Sequence, residues 1–191
     1  MWQRRRRYLL LRAPLVADLC RFDHQPSLPV PPAWVLAILW DELARRDLTE
    51  SLTDWTLERM GRDPSVGPFQ ITGATAASVV QFAPWGRPYR ALSMADNRTL
   101  LWDFGHAARV AAGRLRQILH HWREFEPWRN EGLGRDRVRP LALLGTLYSQ
   151  GLGVPKAHPQ ANGRGAQIAA FGEQIRELLP DLTDASRPEA S

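Results

Sequence analysis

Two adjacent carboxylic acids close an otherwise apolar run in this chain, in "PAWVLAILWDELARR" from Pro32 to Arg46. Glu42 follows Val35 by seven positions and Ile38 by four, so on a helix it extends the apolar stripe. Asp41 is turned away from it by about 100° on helical geometry. A carboxyl on a buried stripe is desolvated, which disfavours its ionised form and raises its pKa. A carboxyl still protonated near neutral pH is what general acid catalysis requires. The competing reading of Glu42 is a surface residue, or one paired with Arg45 or Arg46.

The elements that must hold this carboxyl are helices. Proline at the end of "HQPSLPVPP", residues 24 to 32, suits a first helical turn, and a core helix is expected from Ala33 to about Arg46. A shorter helix is expected over 48 to 60, and another from Ile71 to Phe82. From Asn97 to Trp122, apolar residues recur at threes and fours through Leu101, Phe104, Ala108, Ala111, Leu115, Ile118 and Leu119, which reads as one long helix. Leu141 to Ser149 and Ala166 to Leu179 complete the set, separated by loops rich in Gly and Pro. No alternating strand pattern emerges, so the expected class is all-α. The expected organisation is a basic N-terminal arm and Pro-rich connector over 1–32, a helical domain over 33–180, and a flexible tail over 181–191. Residues 1–32 read as an arm or a first helix on the outside of that domain.

Between the carboxyl and the long helix lies "SVGPFQITGATA", residues 65 to 76, small and turn-rich. Its "GPFQITGATA" resembles the "G-L-M-Q-I-M-P-A-T-A" signature of the lytic transglycosylase and goose-type lysozyme superfamily. Gly67, Gln70, Ile71, Ala74, Thr75 and Ala76 match it, whereas Pro68, Phe69, Thr72 and Gly73 do not. Glu42 stands where that superfamily carries its catalytic glutamate, 67 − 42 = 25 residues before the glycine. "WDFGHAARVAAGRLRQIL" is similar to the superfamily's long Ala-rich core helix, and "LALLGTLYSQG" to its "A-x-A-A-Y-N-x-G" helix, with Tyr148 and Gly151 matched. "HPQANGRG" is similar to a P-x-x-N-x-x-G loop through Pro159, Asn162 and Gly165. The four segments fall in the expected order over residues 33 to 172.

The resemblance implies a lysozyme-like fold with a glycan cleft. Its chemistry is cleavage of the β-1,4 bond between N-acetylmuramic acid and N-acetylglucosamine in peptidoglycan, with no cofactor and no metal. Glu42 then protonates the leaving oxygen, and Tyr148 positions the N-acetyl carbonyl or stabilises developing charge. Gly67, Phe69, Gln70, Thr75, Ser149, Gln150 and Asn162 are the implied glycan contacts, with small residues giving the backbone a close approach to sugar. Water attack in such a site calls for a second carboxylate, for which Asp54 beside Trp55 is preferred over Glu58 and Asp63. Asp54 reads equally as a helix N-cap after "SLT", and Asp63 as a turn former before Pro64. Two departures stand out: Leu43 replaces the usual serine after the glutamate, and Ser149 replaces the asparagine after the tyrosine. They favour a second reading, a lysozyme-like protein that binds peptidoglycan without cleaving it.

Remaining residues take plainer roles. Trp34, Trp40 and Trp102 are expected in the core, while Trp55, Trp85 and Trp128, near loops, are candidates for stacking on sugar rings. His120 and His121 are adjacent and point to different sides of a helix, which makes a poor metal pair, and His106 reads as a packed histidine. His158, in a loop beside Pro159, has two readings, a residue that reaches the cleft and, preferred, one without a functional role. Cys20, the sole cysteine, permits no intramolecular disulfide and has no evident nucleophile partner.

The formal net charge of +5 and the pI of about 10.3 derive almost wholly from arginine, since Lys156 is the only lysine. Such a surface attracts acidic polymers. The "RRRR" run and the arginines from 109 to 116 raise nucleic acid as a third reading, disfavoured because no DNA-reading motif is recognisable. The longest apolar run, Ala33 to Trp40, is too short to span a bilayer. Arg12 and Asp18 interrupt the N-terminal leucines, and no cleavage site follows, so the start is a poor signal peptide. A peptidoglycan-acting protein works in the periplasm or cell wall. The expectation is synthesis in the cytoplasm and delivery by another route, such as a phage lysis system, a contact-dependent secretion machine or a larger toxin. A secreted antibacterial form implies an immunity protein as partner.

Overall fold

A computed structural model describes residues 2–21, 30–45, 63–79, 82, 93–122, 138–151 and 160–180. Seven helices run through these residues: α1 (Trp2–Arg21), α2 (Pro32–Arg45), α3 (Gly73–Ser78), α4 (Met94–Leu100), α5 (Phe104–His121), α6 (Val138–Gln150) and α7 (Gly163–Leu178). Among the described residues the only β feature is an isolated antiparallel bridge between Val66 and Ile71, so the class is all-α. No helix among them is long and apolar enough to cross a membrane.

The centre of the molecule is α2. Pro32 opens it, with its missing N–H at a position where helices leave donors unpaired, and every residue from Pro32 to Glu42 is buried. Its apolar circumference demands cover on all sides, and α1, α5 and α7 pack around it. Val35, Leu36, Ala37, Ile38 and Leu39 are fully buried. Each large aliphatic side chain among them is worth about 1.5–3 kcal/mol of burial. Trp40 stacks on Phe171 of α7 at 5.7 Å between ring centroids, and both Trp34 and Trp40 are core residues as expected.

Of the two readings of the N-terminal segment, an arm or a first helix, residues 2–21 take the second. They form a 20-residue helix whose Leu9, Ala13, Val16 and Ala17 are buried against the domain. Arg12, which breaks the apolar pattern of this stretch, spreads its guanidinium over Phe104 at 4.9 Å and Tyr8 at 5.5 Å. Arg5 donates to the Ala44 carbonyl at 3.2 Å, at the C-terminal end of α2 where carbonyls lack helical partners.

The stretch read as one helix from Asn97 to Trp122 is two, α4 and α5, broken at Leu101–Asp103. Asp103 is the cause: its side chain accepts from the His106 N–H at 2.8 Å and restarts the helix as an N-cap. Leu101 and Phe104 are buried on either side of the break, so the three-four spacing survives it. Trp102 is carried outward by the turn and is 63% exposed, not a core residue. Among the described residues of the segment read as helical from Ile71 to Phe82, the α-helix is the short α3, and the expected helix over 48 to 60 lies outside the described residues.

Helix α7 begins where Asn162 caps it, the Oδ1 accepting from Gly165 N–H at 2.8 Å. Gly165 lies so close to α6 that a Cβ there would overlap the Ala142 carbonyl oxygen and the Thr146 hydroxyl. Gly163, in the same turn, has open space around its Cα. Gly165→Ala is therefore expected to destabilise the fold by about 2 kcal/mol or more through overpacking, while Gly163→Ala is neutral or slightly stabilising through helix propensity. Urea denaturation of the two variants checks this contrast.

Candidate active site

The last turn of α2 delivers Asp41 and Glu42 to the first turn of α7. Arg164 is the residue that meets them: its Nε donates to Asp41 Oδ2 at 2.7 Å and its Nη2 to Glu42 Oε1 at 2.6 Å. Arg45, one turn beyond Asp41, donates through Nε to both Asp41 oxygens at 3.1 Å and through Nη2 to Gln167 at 3.2 Å. Asp41 is fully buried and Glu42 is 7% exposed. A turn of about 100° does not carry Asp41 to solvent, because α2 is enclosed on all its faces. Of the two acids it is Asp41 that is bound by two arginines, and Glu42 pairs with Arg164 rather than with Arg45.

Burial is the largest influence on Glu42 and raises its pKa from 4.5 to about 7. Arg164 pulls it down and the neighbouring Asp41 pushes it up. The carboxyl thus exchanges its proton near neutrality while Asp41 keeps the two guanidinium groups anchored.

The opposing wall comes from the Gly-Pro turn. Val66 and Ile71 exchange backbone hydrogen bonds at 2.9 and 3.1 Å, pinching residues 67–70 into a tight loop. Gly67 has φ +74, and a Cβ on it would overlap the Leu101 carbonyl. Only glycine fits there, and the backbone it approaches is the protein's own. Gln70 also occupies the left-handed region, at φ 47, which costs about 1 kcal/mol for a residue with a Cβ. Its side chain is pinned by Ser65 Oγ donating to Oε1 at 3.1 Å and by its Nε2 donating to the Gly67 carbonyl at 3.1 Å. Asp63, weighed above as a second carboxylate, instead accepts from the Gly73 and Ala74 N–H groups at 3.0 and 2.8 Å and anchors the start of α3.

Tyr148 of α6 ties the two walls together, donating its hydroxyl to the Phe69 carbonyl at 3.1 Å. Burial holds its pKa well above the usual tyrosine value, and the nearby Glu42 raises it further. Around these groups opens a pocket of about 460 Å³. Glu42, Gln70, Thr75, Tyr148, Ser149 and Gln150 all line it. Three other residues expected at a ligand do not. Gly67 is buried against Leu101, and Phe69 is fully buried against Phe104 at 5.7 Å between centroids. Asn162 spends its side chain on capping α7, with its own N–H donating to Thr146 Oγ1 at 3.0 Å. Phe69 contributes its carbonyl, and Asn162 contributes the placement of Arg164. Asp54, Trp55, Glu58, Trp85, Trp128, His158 and Pro159 lie outside the described residues.

Arg164 and Arg114 are among the pocket residues that sequence reasoning missed, with Arg45, Ser65 and Thr72. The available signal for Arg164 was its setting in "NGRG", an arginine between two glycines just after a cap residue. Elsewhere, His106 is partly buried and its pKa falls to about 4 through desolvation, consistent with a packed histidine. The Cys20 thiol is pushed up to about 12 by burial, which leaves it protonated and unreactive. Among the described residues no group of three His, Cys, Asp or Glu side chains is arranged to hold a metal. Comparisons of the chain with protein-family models, with curated proteins and with solved structures gave no match.

The raised pKa of Glu42 has a consequence for folding. A carboxyl whose folded pKa exceeds its unfolded one binds more protons when folded, so stability is fully present below about pH 4.5 and is lost as pH rises through about 7. Over that window the wild type is expected to lose on the order of 3 kcal/mol relative to Glu42→Gln. Parallel denaturant titrations of the two proteins from pH 4 to 8 measure the difference, and parallel curves would show that Glu42 titrates normally.

Proposed function

We propose that this chain is a peptidoglycan-cleaving muramidase with a lysozyme-like domain, and that Glu42 is its catalytic acid. One observation carries the reading: the glutamate placed by its spacing and the glutamine and tyrosine of two separately matched segments line a single pocket, and the glutamate among them has its pKa near 7. Residues more than a hundred positions apart in sequence thus converge on one pocket, which supports the reading.

The chemistry follows from the protonation states. Protonated Glu42 gives its proton to the oxygen leaving C1 of N-acetylmuramic acid, the C1–O bond breaks, and positive charge develops on the ring. The Glu42 carboxylate left behind is stabilised by Arg164. Tyr148, with its own proton engaged by the Phe69 carbonyl, turns oxygen lone pairs to its surroundings, suited to a substrate amide N–H or to the developing charge. In the transglycosylase course the sugar's 6-hydroxyl attacks C1 and returns its proton to Glu42, giving a 1,6-anhydro end and a regenerated acid. In the lysozyme course water takes that role and a reducing end results. The short Arg164–Glu42 contact favours a second reading, because a strongly ion-paired carboxylate is a weaker acid catalyst, and a binding protein without turnover would tolerate it.

Clearing of purified peptidoglycan, with mass spectrometry of the released fragments, tests the proposal. Wild type is expected to release muropeptides, and Glu42→Gln to fall by about a hundredfold or more. Activity is expected to decline as pH rises through about 7, where Glu42 loses its proton. Arg164→Gln removes a group that lowers the Glu42 pKa and should move that decline to higher pH. Retention on insoluble peptidoglycan with no release by either protein would favour the binding reading.

A further inference from the structure

Among the described residues three arginines line the pocket, and two of them are bound by acidic side chains: Arg45 by Asp41, and Arg164 by Asp41 and Glu42. The third, Arg114 of α5, is 9% exposed and pairs with no carboxylate among the described residues. Its partner is the neutral amide oxygen of Gln117, which accepts from Nη1. Gln117 is fixed in that orientation, since its Nε2 donates to Ser78 O at 3.3 Å and to Ser78 Oγ at 3.4 Å.

A guanidinium removed from water without a counter-charge is costly, and burial alone depresses the pKa of this one. It has five N–H donors in a planar fork, of which Gln117 takes one. Its Nη2 lies 3.9 Å from where a side chain on Gly151 would begin, and Gly151 is itself on the pocket wall. The free edge of the fork therefore borders the cavity. Glu42, Arg114 and Tyr148 all line this pocket.

We infer that Arg114, oriented by Gln117, forms an anion subsite that receives a carboxylate of the bound substrate. The inference rests on the muramidase reading and narrows it. A carboxylate matches the fork in two parallel hydrogen bonds and neutralises it, which neither a hydroxyl nor an acetamide does. In peptidoglycan that group has two sources: the lactyl ether of a muramic acid free of peptide, or the acidic residues of an attached stem peptide. Neutral chito-oligosaccharides have neither.

Binding in the non-turnover Glu42→Gln protein tests this by calorimetry with three probes of equal sugar length: a chito-oligosaccharide, a peptide-free N-acetylglucosamine–N-acetylmuramic acid oligomer, and the same oligomer carrying stem peptides. An acidic probe is expected to bind about tenfold or more tightly than the neutral one. Adding Arg114→Gln should erase that gap, and adding Arg114→Lys should keep part of it, with circular dichroism confirming that each variant is folded. Tightest binding of the peptide-free oligomer assigns the site to the lactyl carboxylate, and of the peptide-bearing oligomer to the stem. Equal binding of acidic and neutral probes, or a preference that survives Arg114→Gln, overturns the subsite and leaves the muramidase reading standing. Binding of no probe overturns both.

Discussion

Placing two neighbouring carboxylates at the buried end of an apolar helix is the constraint on which the rest of this structure depends. Leaving one such charge unpaired in the interior costs about 3–5 kcal/mol, a large part of the about 5–15 kcal/mol that separates a folded domain from its unfolded chain. Arg164 meets both carboxylates, and it can do so only from the first turn of α7. That turn is held by the Asn162 cap and by the contact of Gly165 with α6. The stability of the α2–α7 packing and the chemistry of Glu42 are therefore aspects of one arrangement. The same burial that makes the pair costly gives Glu42 its raised pKa.

The opposite wall works by strain and small size. A Gly-Pro turn is closed by the Val66–Ile71 bridge, anchored below by Asp63 and joined to α6 through the Tyr148–Phe69 hydrogen bond. Gln70 is held in a left-handed backbone conformation at the end of that turn, with both ends of its amide engaged. Side chains so fixed lose little entropy when a ligand arrives, which suits a wall that must position a substrate. In the muramidase reading the pocket then offers an acid, an amide, a phenol and a cation, Arg114, that has no carboxylate partner among the described residues.

The helix boundaries around the site were legible in the sequence for α2 and less so for α6 and α7, each of which begins three residues before the expected Leu141 and Ala166. Pro32 and the apolar run marked α2 to within a residue, and the i+4 and i+7 relation of Glu42 to Ile38 and Val35 correctly marked it as buried. The same helical-wheel logic failed for Asp41, because a wheel presumes one face in solvent and α2 has none. It also failed at Trp102, where local capping by Asp103 outweighed a periodicity that continues through the break. Gly67 and Phe69 belong to a turn whose contacts are internal, and a segment pattern alone does not tell a glycine that admits a ligand from one that admits Leu101. Arg164 and Arg114 were illegible for a different reason. Long side chains act several ångströms from their backbones, so the partners of Arg164 lie 122 and 123 positions away in sequence and are set by tertiary packing.

The central claim is that Glu42 holds its proton near neutral pH. A carbon-13 nuclear magnetic resonance titration of the glutamate side-chain carboxyls, with Glu42→Gln used to assign the signal, tests it most directly. A Glu42 midpoint near pH 7, well above those of the exposed glutamates, is the predicted result. A midpoint in the ordinary range of about 4 to 5 would mean that Arg164 outweighs burial and that Glu42 is an ion-paired carboxylate, not a general acid.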